Sequence, residues 1–195
     1  MTLVWHLTLF LLLASTATAE IPAATCAAGQ TKTVVILVRH ADRDGEELNA
    51  KGWARALALR DLVFGEFADV DAVLYTDYVR TRQTLEPIVE QVKTIGRDVP
   101  QLSRAGHDYA GFAESIRTEH ARGRPLAVLV LAGHSNTLRP ILQQFRPDQI
   151  HADEWFPCDG DVCHWDYDDL WTITLCGNAP PEIRKGTFGA PTLEP

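Results

Sequence analysis

The segment VVILVRHADR, residues 34–43, constrains the fold of this chain more than any other stretch. It begins with five branched aliphatic residues, the composition of a strand buried on both faces of a parallel sheet. The apolar run then ends abruptly at Arg39, His40 and Arg43. Functional side chains gather beyond the carboxyl ends of such strands. The segment therefore predicts a buried strand over 33–38 that carries a cationic group to one edge of a sheet.

Composition limits the class of protein. The chain has 195 residues, of which 46% are hydrophobic, enough for one globular domain with its own core. Its net charge of -8 disfavours a general nucleic-acid binder. Arginines that are grouped in such an acidic chain are expected to serve a local site, and no nucleic-acid partner is predicted.

Short apolar runs alternate with helical patterns along the rest of the chain. We expect strands at 72–76, near 98–103, at 125–133 and at 169–176, and helices at 50–67, 79–95 and 109–121. Asn49 is the expected cap of the first helix. A last helix should begin at about Thr137, which would place Pro140 in its first turn, where a missing N–H is harmless. The alternation predicts a three-layer α/β/α sandwich with a mostly parallel central sheet.

The amino-terminal residues 1–19, MTLVWHLTLFLLLASTATA, have the character of an export signal. Their apolar part, 7–14, is short for a membrane span and is followed by Ala-Thr-Ala at 17–19, a pattern that signal peptidase reads. We expect cleavage after Ala19 and a periplasmic or secreted protein with no stable membrane anchor. An uncleaved anchor and a lipidated Cys26 are the alternatives.

Three further segments follow the expected signal. Residues 20–31 are interpreted as a flexible lead-in, 32–177 as the folded domain and 178–195 as a loose tail.

Four cysteines allow three disulfide pairings. Export permits disulfides, and we favour a small loop closed by Cys158 and Cys163, with Cys26 paired to Cys176. The alternative, a metal site formed by Cys158, Cys163 and His164, has a spacing that matches no common zinc pattern. No metal is predicted.

Three strand ends should bring cationic side chains together. Arg39 and His40 follow the first strand, residues 75–80 follow the second, and His134 follows the strand at 125–133. Guanidinium groups match phosphate oxygens in geometry and charge, and a neutral imidazole can attack phosphorus. A helix that begins just after the segment 133–136, Gly-His-Ser-Asn, could also direct backbone N–H groups at a phosphate. The pattern predicts an anion site capable of phosphoryl chemistry.

Four motifs in this chain resemble those of the histidine phosphatase superfamily, which is also called phosphoglycerate mutase-like. They are LVRHADR, LNAKGWARA, YTDYVRTRQT and VLVLAGHSNT, in that order between 33 and 142. The resemblance implies the phosphoglycerate mutase-like fold, His40 as the nucleophile and His134 as the second catalytic histidine. It also implies phosphate binding by Arg39, Arg43 and Arg80, with no cofactor.

Two positions depart from the family pattern. Ala41 replaces the glycine that usually follows the nucleophile, so the turn there could differ. Ser135 stands where acid-phosphatase members carry an aspartate, so a proton donor is expected elsewhere, unless the substrate has a good leaving group and needs none. Asp108, in a loop before a helix, is our candidate; the neighbouring His107 is its rival.

The sequence therefore predicts an exported phosphatase that hydrolyses phosphomonoesters through a phosphohistidine on His40. Its partner would be a phosphorylated small molecule or a phosphopeptide. A phosphotransferase or mutase using the same site, and a binder of phosphorylated ligands without catalysis, are the alternatives.

Overall fold

The computed structural model describes residues 20–147, 158–159, 162–163 and 165–190, the two short pairs by their backbone alone. The predicted signal at 1–19 lies outside these residues. None of the helices in the described ranges is long and apolar enough to cross a membrane. The elements, in chain order, are β1 Lys32–Arg39, β2 Arg43–Asp44, β3 Glu47–Leu48, α1 Ala50–Glu66, β4 Ala72–Thr76, α2 Val79–Thr94, β5 Gln101–Arg104, α3 Tyr109–Ala121, β6 Leu126–Gly133, α4 Ser135–Gln143, β7 Cys158–Asp159, β8 Val162–Cys163, β9 Asp169–Cys176 and β10 Glu182–Thr187.

A six-stranded sheet with the order β10-β9-β1-β6-β4-β5 forms the centre of the molecule. Strands β1, β6, β4 and β5 run parallel, while β9 is antiparallel to β1 and β10 to β9. In the register of β1 and β6, Arg39 lies opposite Gly133. The residues that follow, His40 and His134, therefore leave the sheet side by side.

Helices cover both faces of this sheet. Successive side chains of β1 alternate between the faces, so Val34 and Ile36 pack on one side and Val35 and Leu37 on the other. The first side is covered by α1 and α2, and the second by α3 and α4. The predicted three-layer α/β/α sandwich with a mostly parallel sheet is confirmed.

The helix starts differ in how well the sequence predicts them. Asn49 caps α1 as expected, because its side chain accepts the N–H of Gly52 at 2.9 Å. Helix α4, however, begins at Ser135 with His134 as its cap, two residues before the predicted start at Thr137. Pro140 therefore lies in the interior of α4, and its predicted place in the first turn is wrong.

Two segments that we interpret as loose are held by the fold. In the lead-in, Ile21 and Ala24 are buried, and Ala24 N–H donates to Thr174 Oγ1 at 3.0 Å. In the tail, β10 adds an edge strand to the sheet, since Ile183 is buried against the core. The predicted flexible lead-in, 20–31, and the predicted loose tail, 178–195, are therefore wrong where the chain makes these contacts.

The disulfide between Cys26 and Cys176 confirms one predicted pairing and fastens the lead-in to the end of β9. For the second pair, the backbone places Cys158 opposite Cys163 in the ladder of β7 and β8. The side chains of these two residues, and all of His164, lie outside the described part of the chain. The second pairing and the metal alternative stay predictions.

Candidate active site

The carboxyl ends of β1, β6, β4 and β5 surround a cavity of about 610 Å³. It contains every predicted site residue except Asp108. The ring centroids of His40 and His134 lie 5.1 Å apart at its base. The lining residues are Arg39, His40, Arg43, Asp77, Tyr78, Arg80, Ala105, Gly106, His107, Tyr109, His134, Ser135, Asn136 and Thr137.

His40 has the protonation state and the orientation of a nucleophile. Its side chain is buried, with 4% of the residue exposed, and its backbone N–H donates to Gly133 O at 2.8 Å. Burial, together with the nearby His134, Arg39 and Arg80, lowers the pKa of His40 to about 3, although the hydrogen bond to Ala41 opposes this shift. The ring is therefore neutral near pH 7. Its Nδ1 lies 2.9 Å from the carbonyl oxygen of Ala41, which can only accept, so Nδ1 carries the proton and Nε2 keeps its lone pair.

The turn after His40 accommodates alanine. The Ala41 N–H donates to Thr84 Oγ1 at 2.9 Å, and that hydroxyl donates to the carbonyl of Arg80 at 2.8 Å. In the described part of the chain, only glycines have positive φ. The backbone of Ala41 is therefore one that any residue can adopt, and the departure from glycine places no strain on the nucleophile.

The motif LNAKGWARA packs α1 against this turn. A Cβ at Gly52 would overlap the carbonyl oxygen of Asp42, so only glycine permits the approach. The carboxylate of Asp42 is bound by Arg55 Nε at 2.8 Å and by Lys51 at 3.1 Å. Asp42 therefore anchors the chain between His40 and Arg43, and its charge is already neutralised.

Each of two arginines in the cavity, the half-buried Arg39 and the buried Arg80, lies over a tyrosine ring. The guanidinium of Arg39 lies 4.0 Å from the ring centroid of Tyr167, and its Nη1 donates to Trp165 O at 2.9 Å. The guanidinium of Arg80 lies 4.4 Å from the ring centroid of Tyr78. Within the described residues, Nε of both arginines is buried without a hydrogen-bond partner, so neither guanidinium is saturated by protein acceptors.

The third arginine, Arg43, and the second histidine, His134, complete the set of predicted site residues in the cavity. Arg43 is exposed and donates to the carbonyl of Gly45 in the turn between β2 and β3. His134 Nε2 lies 3.0 Å from Thr76 Oγ1 at the end of β4. Burial, together with Arg80, Arg39 and Arg43, lowers the pKa of His134 to about 4, while Asp77 opposes this shift. Both imidazoles are therefore neutral near pH 7.

Asp108, our candidate proton donor, does not line the cavity. Its Oδ1 caps α3 by accepting the Gly111 N–H at 3.0 Å, and its Oδ2 pairs with Arg104 at 3.0 Å. Capping a helix occupies the carboxylate, so this prediction is wrong in its geometry. The rival His107 does line the cavity.

Four residues of the site are absent from our sequence-based set: Glu46, Asp77, Tyr78 and Tyr167. Asp77 and Tyr78 lie inside the quoted motif YTDYVRTRQT, so their position was a usable signal. Glu46 and Tyr167 lie outside every motif, and nothing in the sequence marks them. Among the described residues, no group of three or more His, Cys, Asp or Glu side chains is placed to hold a metal ion.

Comparison with solved structures identifies the fold. The protein histidine phosphatase SixA, solved with tungstate, matches with a TM-score of 0.59 and 13% identity over 79% of this chain and 96% of that protein. Phosphoglycerate mutase from Plasmodium falciparum matches with a TM-score of 0.54 and 16% identity over 84% and 97%. Phosphoserine phosphatase from Entamoeba histolytica, solved with 3-phosphoglyceric acid, gives 0.51 and 11% over 80% and 96%.

At these identities the likeness establishes the fold, and it is the fold that the four motifs imply. No protein-family model and no curated protein matches the chain.

Proposed function

We propose that this chain is a phosphatase that hydrolyses phosphomonoesters through a phosphohistidine on His40. One observation carries the proposal. The imidazole is neutral, and the Ala41 carbonyl fixes its proton on Nδ1, so the lone pair of Nε2 remains for attack beside three arginines. A histidine that served only to pack the core would need neither the surrounding cations nor the cavity.

The reaction has two steps. Nε2 of His40 attacks phosphorus, the bond between phosphorus and the ester oxygen breaks, and the alcohol leaves with a proton. Water then attacks the phosphohistidine, the N–P bond breaks, and inorganic phosphate departs from a regenerated neutral His40. Arg39, Arg43, Arg80 and His134 bind the phosphoryl oxygens, where fixed positive charge stabilises the transition state.

We assign the proton transfer to His107. It lines the cavity at the loop between β5 and α3, whereas the carboxylate of Asp108 is occupied as a cap. Protonated His107 would give its proton to the leaving oxygen and then recover one from the attacking water, so protons balance over the cycle.

We also propose that the protein acts after export, in a periplasm or outside the cell. The leader-like residues 1–19 support this, and so does the Cys26–Cys176 disulfide, because such bonds persist in oxidising compartments. The substrate would be a phosphorylated small molecule or a phosphopeptide.

Phosphate release from a panel of phosphomonoesters, with and without a chelator, tests the proposal. The purified protein should release phosphate in both conditions, and His40→Ala should lose roughly 10³-fold or more in kcat. Asp108→Asn is the matched control: asparagine caps a helix as well as aspartate, so activity should persist. Hydrolysis by His40→Ala would overturn the mechanism, and isomerisation of a phosphoglycerate without phosphate release would instead indicate a mutase.

A further inference from the structure

The cavity extends from the phosphate-binding groups in one direction along the sheet edge. Strand β1, which carries Arg39, lies between β9 and β6. On the β9 side Tyr167 is stacked on the Arg39 guanidinium. Among the described residues, the cavity lining comes instead from the ends of β6, β4 and β5 and the segments after them. A phosphoryl group at His40 would therefore project its leaving group toward β4 and β5.

Asp77 is the first residue beyond β4 on that path. Its backbone N–H donates to Arg104 O at 2.9 Å, which fixes it between the ends of β4 and β5. Strand β4 is the neighbour of β6, the strand that His134 follows, so Asp77 and His134 follow adjacent strands at the same edge of the sheet. The carboxylate is close enough to His134 to oppose the lowering of its pKa by the arginines.

The Asp77 carboxylate differs from the other carboxylates around the site. Asp42 is bound by Arg55, Glu46 by Arg80, and Asp108 by Arg104. Asp77 is the only acidic residue among the described lining residues, and within the described chain its carboxylate has no hydrogen bond or ion pair. A carboxylate beside three arginines that pairs with none of them is available to a ligand.

The cavity is thus electrically polar along the path of the substrate. Arginines line it around His40, and one unpaired carboxylate, that of Asp77, lines it at the end of β4. We infer that Asp77 is a specificity-determining residue that selects phosphomonoesters of small amino alcohols, in which an ammonium group lies two carbons from the ester oxygen. This inference rests on the proposed phosphatase function.

A set of three substrates of nearly equal size tests it: O-phosphoethanolamine, n-propyl phosphate and phosphoglycolate. Their leaving groups end in an ammonium, a methyl and a carboxylate. The wild-type protein should prefer O-phosphoethanolamine to propyl phosphate by roughly fivefold or more in kcat/KM, the value of a partly solvated ion pair, and should disfavour phosphoglycolate. Asp77→Asn, which keeps the shape, should abolish the preference and raise kcat/KM for phosphoglycolate.

Binding to the His40→Ala variant gives a second readout without turnover. Calorimetry should show the same order of Kd for the three esters, and the added Asp77→Asn change should remove that order. The inference would be overturned if the wild type had equal kcat/KM for the three esters, or if Asp77→Asn lost the same factor in kcat/KM for all three. If the wild type hydrolysed none of the three esters, that result would count against the proposed function instead, and the binding order would still decide the role of Asp77.

Discussion

The carboxylate of Glu46 lies 2.8 Å from Nη1 of Arg80, so an arginine of the proposed phosphate site is already bound to an anion. The two partners differ sharply in exposure: 70% of the Glu46 side chain is exposed, against 11% for Arg80. Glu46 lies in the turn between β2 and β3, next to Gly45, whose carbonyl accepts from Arg43. The hairpin of β2 and β3 therefore supplies Arg43 to the cavity and places the Glu46 carboxylate on Arg80.

We predict that Glu46 competes with phosphate for Arg80. Glu46→Gln should lower the inhibition constant of inorganic phosphate by about two- to fivefold, since an exposed ion pair contributes up to about 1 kcal/mol. The inhibition constant is measured by adding inorganic phosphate and following release of the alcohol from the substrate. Glu47→Gln is the matched control, because it removes the same charge from an exposed neighbour. An equal or weaker affinity in Glu46→Gln than in Glu47→Gln would contradict the competition.

The buried histidines should make stability depend on pH. The pKa values of His40 and His134 fall from the usual 6.5 to about 3 and about 4 in the folded protein. Between these values and 6.5 the unfolded chain binds protons that the folded chain does not. The two histidines therefore make their full contribution to the free energy of unfolding above pH 6.5, and this contribution is lost as the pH falls toward 3.

Urea unfolding at pH 7.5 and pH 4.5 measures this dependence. The free energy of unfolding should fall toward pH 4.5, and it should fall less in His40→Gln, which has one buried imidazole fewer. An identical fall in both proteins would show that His40 does not contribute.

The proposed role of His107 predicts a dependence on the leaving group. His107→Gln should slow hydrolysis of an alkyl phosphate by roughly 10²-fold, because an alkoxide is a poor leaving group without a proton. Hydrolysis of p-nitrophenyl phosphate should change little, since that phenolate leaves unprotonated. Phosphate release from the two substrates gives the comparison, and equal losses would assign His107 to binding rather than to proton transfer.

The Cys26–Cys176 disulfide should stabilise the protein without affecting catalysis. The two cysteines are 150 residues apart, so the cross-link restricts a long loop of the unfolded chain and contributes up to about 5 kcal/mol. The disulfide lies at the last residue of β9, whereas the segment that contacts Arg39, residues 165–167, precedes the first residue of that strand. Replacing both cysteines by serine should lower Tm and leave kcat/KM unchanged at a temperature where the variant is folded. An unchanged Tm would contradict the prediction.

The sequence predicts site residues best where a chemically reactive or charged side chain directly follows a long apolar strand. Arg39, His40 and His134 each follow a long apolar strand, and parallel strands align their carboxyl ends, so their convergence could be inferred. Gly52 belongs to a recognisable motif, but the reason that glycine is needed there appears only in the fold, where the missing side chain permits contact with Asp42. Strand β10 cannot be predicted from the sequence, because a polar edge strand with a single buried side chain, Ile183, lacks an apolar pattern.

The supporting groups of the site could not be predicted in the same way. Tyr167 reaches Arg39 from a segment 128 positions later, and no periodicity marks such a contact. The place of Asp108 before a helix suggests a proton donor, yet the same place makes aspartate a helix cap. Sequence position alone does not separate the two roles; the direction of the side chain does.

Trapping the phosphoenzyme tests the central claim most directly. The protein is mixed with a ³²P-labelled phosphodonor, quenched in base, where phosphohistidine survives, and mapped by mass spectrometry. The account predicts one phosphate on His40, lost on acid treatment and absent from His40→Ala. Rapid phosphate release by the wild type with label on another residue, or with no covalent label at any time during turnover, would contradict it.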